Sequence, residues 1–229
     1  MKKILCLLLA IVMLVSLCAC GSDSNDNTGK GKDNETQSQT QKEPESEPEK
    51  IPEFSFGKIS GNTYTNDFFG ISCTLPNDIK FYNDEELATS NGIAADYTDE
   101  QKLEHFKTSK VYMDMCAANQ LTGSNVNVTF DYFGEDSANI NVKETLESQY
   151  SIIESSYQQM GYTNVSLTST KVTVDGKEFD GVKLTAEIQG IKFYSTLFAF
   201  KKGEYMANIT VCSLQTDITG DILDCFTIK

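Results

Sequence analysis

The sequence predicts an α+β fold: an antiparallel sheet with a C-terminal four-strand meander, and helices packed on its faces. Three observations carry that expectation. Segments 165–174, 177–188, 191–200 and 204–214 follow one another closely and are rich in β-branched and aromatic residues, the composition of consecutive strands. Their connections, Asp175-Gly176, Gln189-Gly190 and Lys201-Lys202-Gly203, each hold the glycine that tight hairpins use for a positive φ. Ahead of them, residues 142–160 set Leu146, Tyr150, Ile153, Tyr157 and Met160 on one stripe at helical spacing. Lys143, Glu147, Glu154 and Gln158 lie opposite, so this helix packs by one face only.

The other elements follow in chain order. Residues 59–65 and 69–75 read as two short strands around the turn-forming pair Asn66-Asp67, and Pro76 stops the second. Asn83 precedes Asp84-Glu85-Glu86-Leu87, a short helix start. Thr98 caps a helix that runs to Thr108, with Asp99 and Glu100 favourable in its first turn. Residues 111–117 and 125–133 form a hairpin across 119–124. In its second strand Val126, Val128, Phe130 and Tyr132 alternate with Asn127, Thr129 and Asp131, the period-two pattern of a half-buried strand. Gly161 stops the long helix. In segment 191–200 both parities are apolar, Ile191, Phe193 and Leu197 against Tyr194, Phe198 and Phe200, which calls for cover on both faces of the sheet centre. Asp217 or Thr219 caps a last helix over 218–226, with Ile218, Ile222, Cys225 and Phe226 inward.

Composition divides the chain into a leader (1–19), a polar tether (20–53) and one domain (54–229). The domain is long enough to bury roughly 70% of its unfolded surface. Lys2 and Lys3 precede a 14-residue apolar run, 4–17, in which Ser16 is the one polar residue. That is the length of an export signal and short of the ~20 residues a spanning helix needs. Residues 21–50 contain no Val, Ile, Leu, Met or aromatic residue, so the segment has nothing to bury and is expected to be disordered. As a coil the tether spans about 30 Å. Asp23, Asn25 and Asn27 imitate the start of a calcium loop, but Gly29 and Glu35 each fall one place late.

The apolar run ends in Leu17-Cys18-Ala19-Cys20-Gly21. This resembles the lipobox of bacterial lipoproteins: an aliphatic residue, two small residues, then a cysteine. The resemblance implies diacylglyceryl transfer to the Cys20 sulfur and cleavage before it. The mature chain would then sit on the extracytoplasmic face of the cell membrane, held by acyl chains that anchor durably only as a pair. The formal charge is −14, and removing Lys2 and Lys3 leaves 17 basic against 33 acidic residues, or −16. Every basic residue is Lys. There is thus no bidentate arginine site, no electrostatic footprint for nucleic acid and no basic patch for anionic lipid. Membrane contact rests on Cys20.

The order ββ-α-ββ-α-ββββ-α over most of 54–229 resembles the Mog1/PsbP-like group of small domains. The opening hairpin ending in Leu75-Pro76, the long helix before the meander and the closing helix carry the likeness. Where that group has a Trp after the Pro, this chain has Asn77-Asp78-Ile79. Members do unrelated jobs, so the likeness implies a fold and no activity.

No G-x-S-x-G, H-E-x-x-H, phosphate-loop or C-x-x-C motif occurs. His105, the one histidine, stands beside Glu104 on a charged helix. A Cys–His dyad would need Cys73, Cys116, Cys212 or Cys225 beside it in an electropositive setting, which an acidic chain without Arg does not supply. The acidic runs at 84–86 and 96–100 read as solvated helix starts. No catalytic, cofactor or metal site is assigned. Four buried free thiols are the favoured reading of the domain cysteines; the alternative is a bridge between Cys212 and Cys225, which lie across one strand-to-helix turn and could meet, worth ~3 kcal/mol. The expected function is a lipid-anchored extracytoplasmic lipoprotein whose domain serves non-catalytic binding or assembly with an envelope protein. Capture of a small ligand is the first alternative, and a cysteine-dependent hydrolase or redox enzyme the second.

Overall fold

The computed structural model describes residues 52–229; the leader, Cys20 and the tether up to residue 51 lie outside the described residues. The chain first forms β1 (Lys58–Ser60), β2 (Thr63–Asn66), β3 (Ile71–Thr74) and β4 (Lys80–Phe81). Helices α1 (Asp84–Asn91) and α2 (Asp99–Ser109) lead to the hairpin β5 (Val111–Asn119) and β6 (Ser124–Tyr132). A 3-10 turn, Gly134–Asn139, then opens the pair α3 (Val142–Ser148) and α4 (Tyr150–Gln159). The meander β7 (Thr163–Val174), β8 (Lys177–Ile188), β9 (Ile191–Lys202) and β10 (Tyr205–Leu214) follows, and α5 (Thr219–Leu223) and β11 (Phe226–Ile228) close the chain.

Two antiparallel sheets result, β1-β2-β3-β11 and β4-β5-β6-β10-β9-β8-β7, so the domain is α+β. The meander turns as its glycines require: Asp175-Gly176 and Gln189-Gly190 have positive φ at both residues, the type I′ hairpin geometry. The order of the large sheet explains the helices. The chain leaves β6, reaches β7 at the far edge, and walks back until β10 pairs with β6, Ile209 opposite Val128. The segment between must cross the whole back of the sheet. The α3–α4 pair is that crossing.

The front of the large sheet faces the small one. There Val126, Val128 and Phe130 meet Tyr64, Phe69, Ile71 and Phe226 in the main core. Its centre is aromatic: Phe69 stacks on Phe130 at 4.8 Å, and Phe54 on Tyr205 at 4.3 Å. Geometries of this kind add about 0.5–1.5 kcal/mol per pair beyond area burial. Phe54 also meets Phe56, Phe68 and Phe106, so the described chain is packed from its third residue.

Four expectations change. The long helix is two, broken at Gln149; the Ser148 hydroxyl donates back to the Thr145 carbonyl at 2.7 Å and the Gln149 N–H to Leu146, which tightens and bends the turn. The strand expected over 59–65 is itself a hairpin, β1 against β2, turning at Gly61 with φ 60°. The last helix ends at Leu223, and Phe226–Ile228 pairs with β3: alternating Phe226, Thr227 and Ile228 fill an open sheet edge better than a further helical turn. The fourth concerns the polar side of β6, which is not solvated.

Candidate ligand site on the helix-covered face

Alternation in β6 sends Asn127, Thr129 and Asp131 to the back of the sheet. β10 pairs with it in a register that sets Asn208 opposite Thr129 and Thr210 opposite Asn127. On β9, Ser195 and Leu197 share that face. Bare, this would be a wet polar patch. Leu146, Ile153 and Tyr157, from the apolar stripe of α3 and α4, lie over it. Asn127, Thr129, Ser195 and Asn208 are consequently only 4–8% exposed.

Between floor and lid is a cavity of about 80 Å³, with a polar floor and apolar walls that include Leu167, Leu184 and Leu197. Convergent polar groups in an apolar recess are the usual make-up of a small-molecule site. The floor is under-bonded. Asn208 Nδ2 donates to Asp131 Oδ2 at 2.8 Å, and Asn127 Nδ2 reaches Asn125 Oδ1 at 3.4 Å. The Cys212 thiol donates to Ser195 Oγ at 3.4 Å. Thr129, Thr210 and the amide of Gln149 make no side-chain hydrogen bond among the described residues. Burial pushes the Asp131 carboxyl up to about 6, opposed only by the Asn208 bond. Tyr150, which opens α4, has its hydroxyl buried without a partner.

A second recess, about 270 Å³, lies on the other side of the sheet beside α1 and α2. Three of its charged groups, Asp99, Lys102 and Asp114, are already engaged. Lys102 pairs with Asp99 at 3.6 Å. Asp114 Oδ2 accepts from Tyr64 Oη at 2.6 Å, the Gly57 N–H at 2.7 Å and Asn66 Nδ2 at 3.5 Å. Asp114 is the extra residue of a bulge, where the β5–β6 register shifts between Met113 and Met115. Nearby, Asn91 bonds both the N–H and the C=O of Met113, at 2.7 and 2.9 Å, covering a stretch of strand edge. This recess is larger, but the buried carboxylate in its wall, Asp114, holds the fold together. The back cavity is the better candidate.

The residues singled out from sequence are scattered. All four domain cysteines are free thiols, the favoured reading, and the alternative bridge between Cys212 and Cys225 is not formed. Cys212 points to the back, among Tyr157, Tyr162 and Phe193, whereas Cys225 packs against the front core, so the sheet separates them. Burial pushes Cys116 up to about 12 and Cys212 to about 11, and raises Cys73 and Cys225 as well. None is poised to ionise at neutral pH. His105, on α2, has no hydrogen bond to any of them among the described residues. The acidic runs serve as helix starts: Glu86 closes a capping box with Asn83, Gln101 closes one with Thr98, and Asp217 accepts from the Thr219 N–H and hydroxyl. Reasoning from sequence missed the back cavity. Its signal was present in two strands read together, Asn127-Thr129-Asp131 and Asn208-Thr210, each polar on one parity within otherwise apolar strands.

No protein-family model matches the chain, and no curated protein matches it. Among solved structures it is similar to the cyanobacterial PsbP protein CyanoP from Synechocystis, at 9% identity and a TM-score of 0.44, over 76% of this chain and 98% of that one. It is similar also to LpqN of Mycobacterium tuberculosis, described as involved in cell envelope biogenesis, at 9% identity and a TM-score of 0.39, over 69% and 83%. A crystal structure from Bacteroides thetaiotaomicron matches at 9% identity and a TM-score of 0.39, over 70% and 45%.

Proposed function

We propose that this protein is a lipid-anchored extracytoplasmic lipoprotein whose α+β domain binds a partner or ligand at the envelope without transforming it. One observation carries the anchor: Leu17-Cys18-Ala19-Cys20 closes a 14-residue apolar run behind Lys2 and Lys3. Cys20 becomes the acylated N-terminus, residues 20–53 the tether and 54–229 the working domain. Two acyl chains at ~0.8 kcal/mol per buried CH₂ suffice for stable attachment. No helix among the described residues is long and apolar enough to cross a membrane. The raised thiols, and a His105 that among the described residues bonds to none of them, favour binding over cysteine chemistry as the domain's role.

Detergent phase partitioning with mass analysis of the N-terminus tests this reading. Wild type enters the detergent phase carrying a diacylglyceryl group on Cys20, and Cys20→Ser stays unprocessed or is released. Wild type recovered wholly in the aqueous phase refutes the anchor. The under-bonded back cavity favours a second reading, capture of a small ligand, over assembly with a protein.

A further inference from the structure

We propose that the cavity beneath α3 and α4 binds a small organic ammonium compound. Its charged head would sit on the Asp131 carboxylate and its short hydrocarbon part against Leu146, Ile153 and Leu197. The proposal rests on reading the domain as a binding unit, and is independent of the anchor at Cys20.

Charge selects the ligand. Of the residues lining the cavity, only Asp131 and Tyr157 titrate, and neither Lys nor Arg is among them. The site therefore holds an anion with no cation of its own. An ionised carboxylate accepts about four hydrogen bonds, and Asp131 receives one, from Asn208. The rest of the floor suits a donor-rich head. An ammonium brings three donors and no acceptor; Asn127 and Asn208 offer amide oxygens, and Thr129 and Thr210 offer hydroxyls. A carboxylate or phosphate ligand would meet Asp131 with no compensating charge, which costs several-fold in affinity or more. A bare metal ion is a poor fit: no group of three or more His, Cys, Asp or Glu side chains able to hold one exists among the described residues, and a hard cation wants more oxygen charge than one carboxylate.

Size limits the ligand. The cavity, about 80 Å³, is near half the volume of an engineered cavity that admits benzene, ~150 Å³. It holds an ammonium with a few carbons.

The test uses full-length protein in a neutral detergent and n-butylammonium chloride as probe. Butanol, sodium butyrate and sodium chloride at matched ionic strength serve as controls. At ten times the half-saturating concentration the melting temperature rises by about 4 °C with n-butylammonium. The controls give no such rise, and Asp131→Asn abolishes it. On ¹⁵N-labelled wild type the amide shifts concentrate at 127–131 and 208–210; this map needs no variant and decides the matter if Asp131→Asn folds poorly. An equal rise in Asp131→Asn, an equal rise with butanol, or amide shifts spread over the acidic surface and absent from β6 and β10 each overturn the proposal. The same preparation is weighed for the Cys20 adduct, so failure of the ligand and failure of the anchor are read separately.

Discussion

Asp114 on β5 and Asp131 on β6 occupy neighbouring strands of one sheet, and burial raises both carboxyls to about 6. Their surroundings differ. On the front, one oxygen of Asp114 takes three donors, and they tie the segment at Gly57 and the small sheet at Tyr64 and Asn66 to the large sheet. On the back, Asp131 has a single donor and stands in a cavity among hydroxyls and amides with few partners. A buried charge whose neighbours are arranged to meet it is part of the scaffold. One left short of partners beneath a lid is open to something from outside. The two sides of the sheet thus divide the work, the aromatic front holding the fold and the helix-covered back providing the site.

The largest effect should come from Asp114→Ala, which leaves the buried Tyr64 hydroxyl and Gly57 N–H without an acceptor. It costs about 3 kcal/mol or more, against under about 1 kcal/mol for Asp131→Ala, both read from urea midpoints. Equal losses would erase the contrast. Next is Gly57→Ala. A Cβ there would lie 2.5 Å from Asp114 Oδ2 and overlap the Tyr64 ring, and such overpacking costs about 1–3 kcal/mol.

The third prediction concerns pH. Each carboxyl keeps its proton up to about pH 6 in the folded state, whereas the unfolded chain releases it near 3.9. Between these values the folded state binds more protons, so stability falls as pH rises from 4 to 6 and levels off above. Asp131→Asn removes its share. It should be nearly neutral at pH 4 and stabilising by about 1–2 kcal/mol at pH 7, a value discounted for water in the cavity. A flat or rising wild-type profile across that window would contradict it. The smallest effect compares two tyrosines. Tyr64→Phe loses the bond to Asp114 and costs about 1.5 kcal/mol. Tyr150→Phe removes a hydroxyl that has no partner, and its melting temperature should match wild type or rise slightly.

What the sequence disclosed follows the range of the interactions. The meander was legible because each hairpin turn is a local device, and Asp175-Gly176 and Gln189-Gly190 adopt the positive φ their residues favour. The cap at Thr98 and the helix start at 83–87 were legible for the same reason. β11 was not, because Phe226–Ile228 depends on an edge provided by β3, about 150 residues earlier. The back cavity was hidden by a real ambiguity. An alternating strand such as β6 fits a wet polar face or a covered one equally well, and only the pairing with β10 and the crossing of α3–α4 decide between them. Cys212 and Cys225 are close in sequence but pack on opposite sides of the sheet, which sequence distance alone does not disclose.

The most direct test follows the carboxyl carbons of Asp114 and Asp131 by NMR through a pH titration, with and without n-butylammonium chloride. Both should titrate near pH 6 in the free protein. The amine should lower the Asp131 midpoint and leave that of Asp114 in place. Two carboxyls that titrate at ordinary values, or two midpoints that move together or stay together when the amine is added, would contradict the division between a structural face and a binding face.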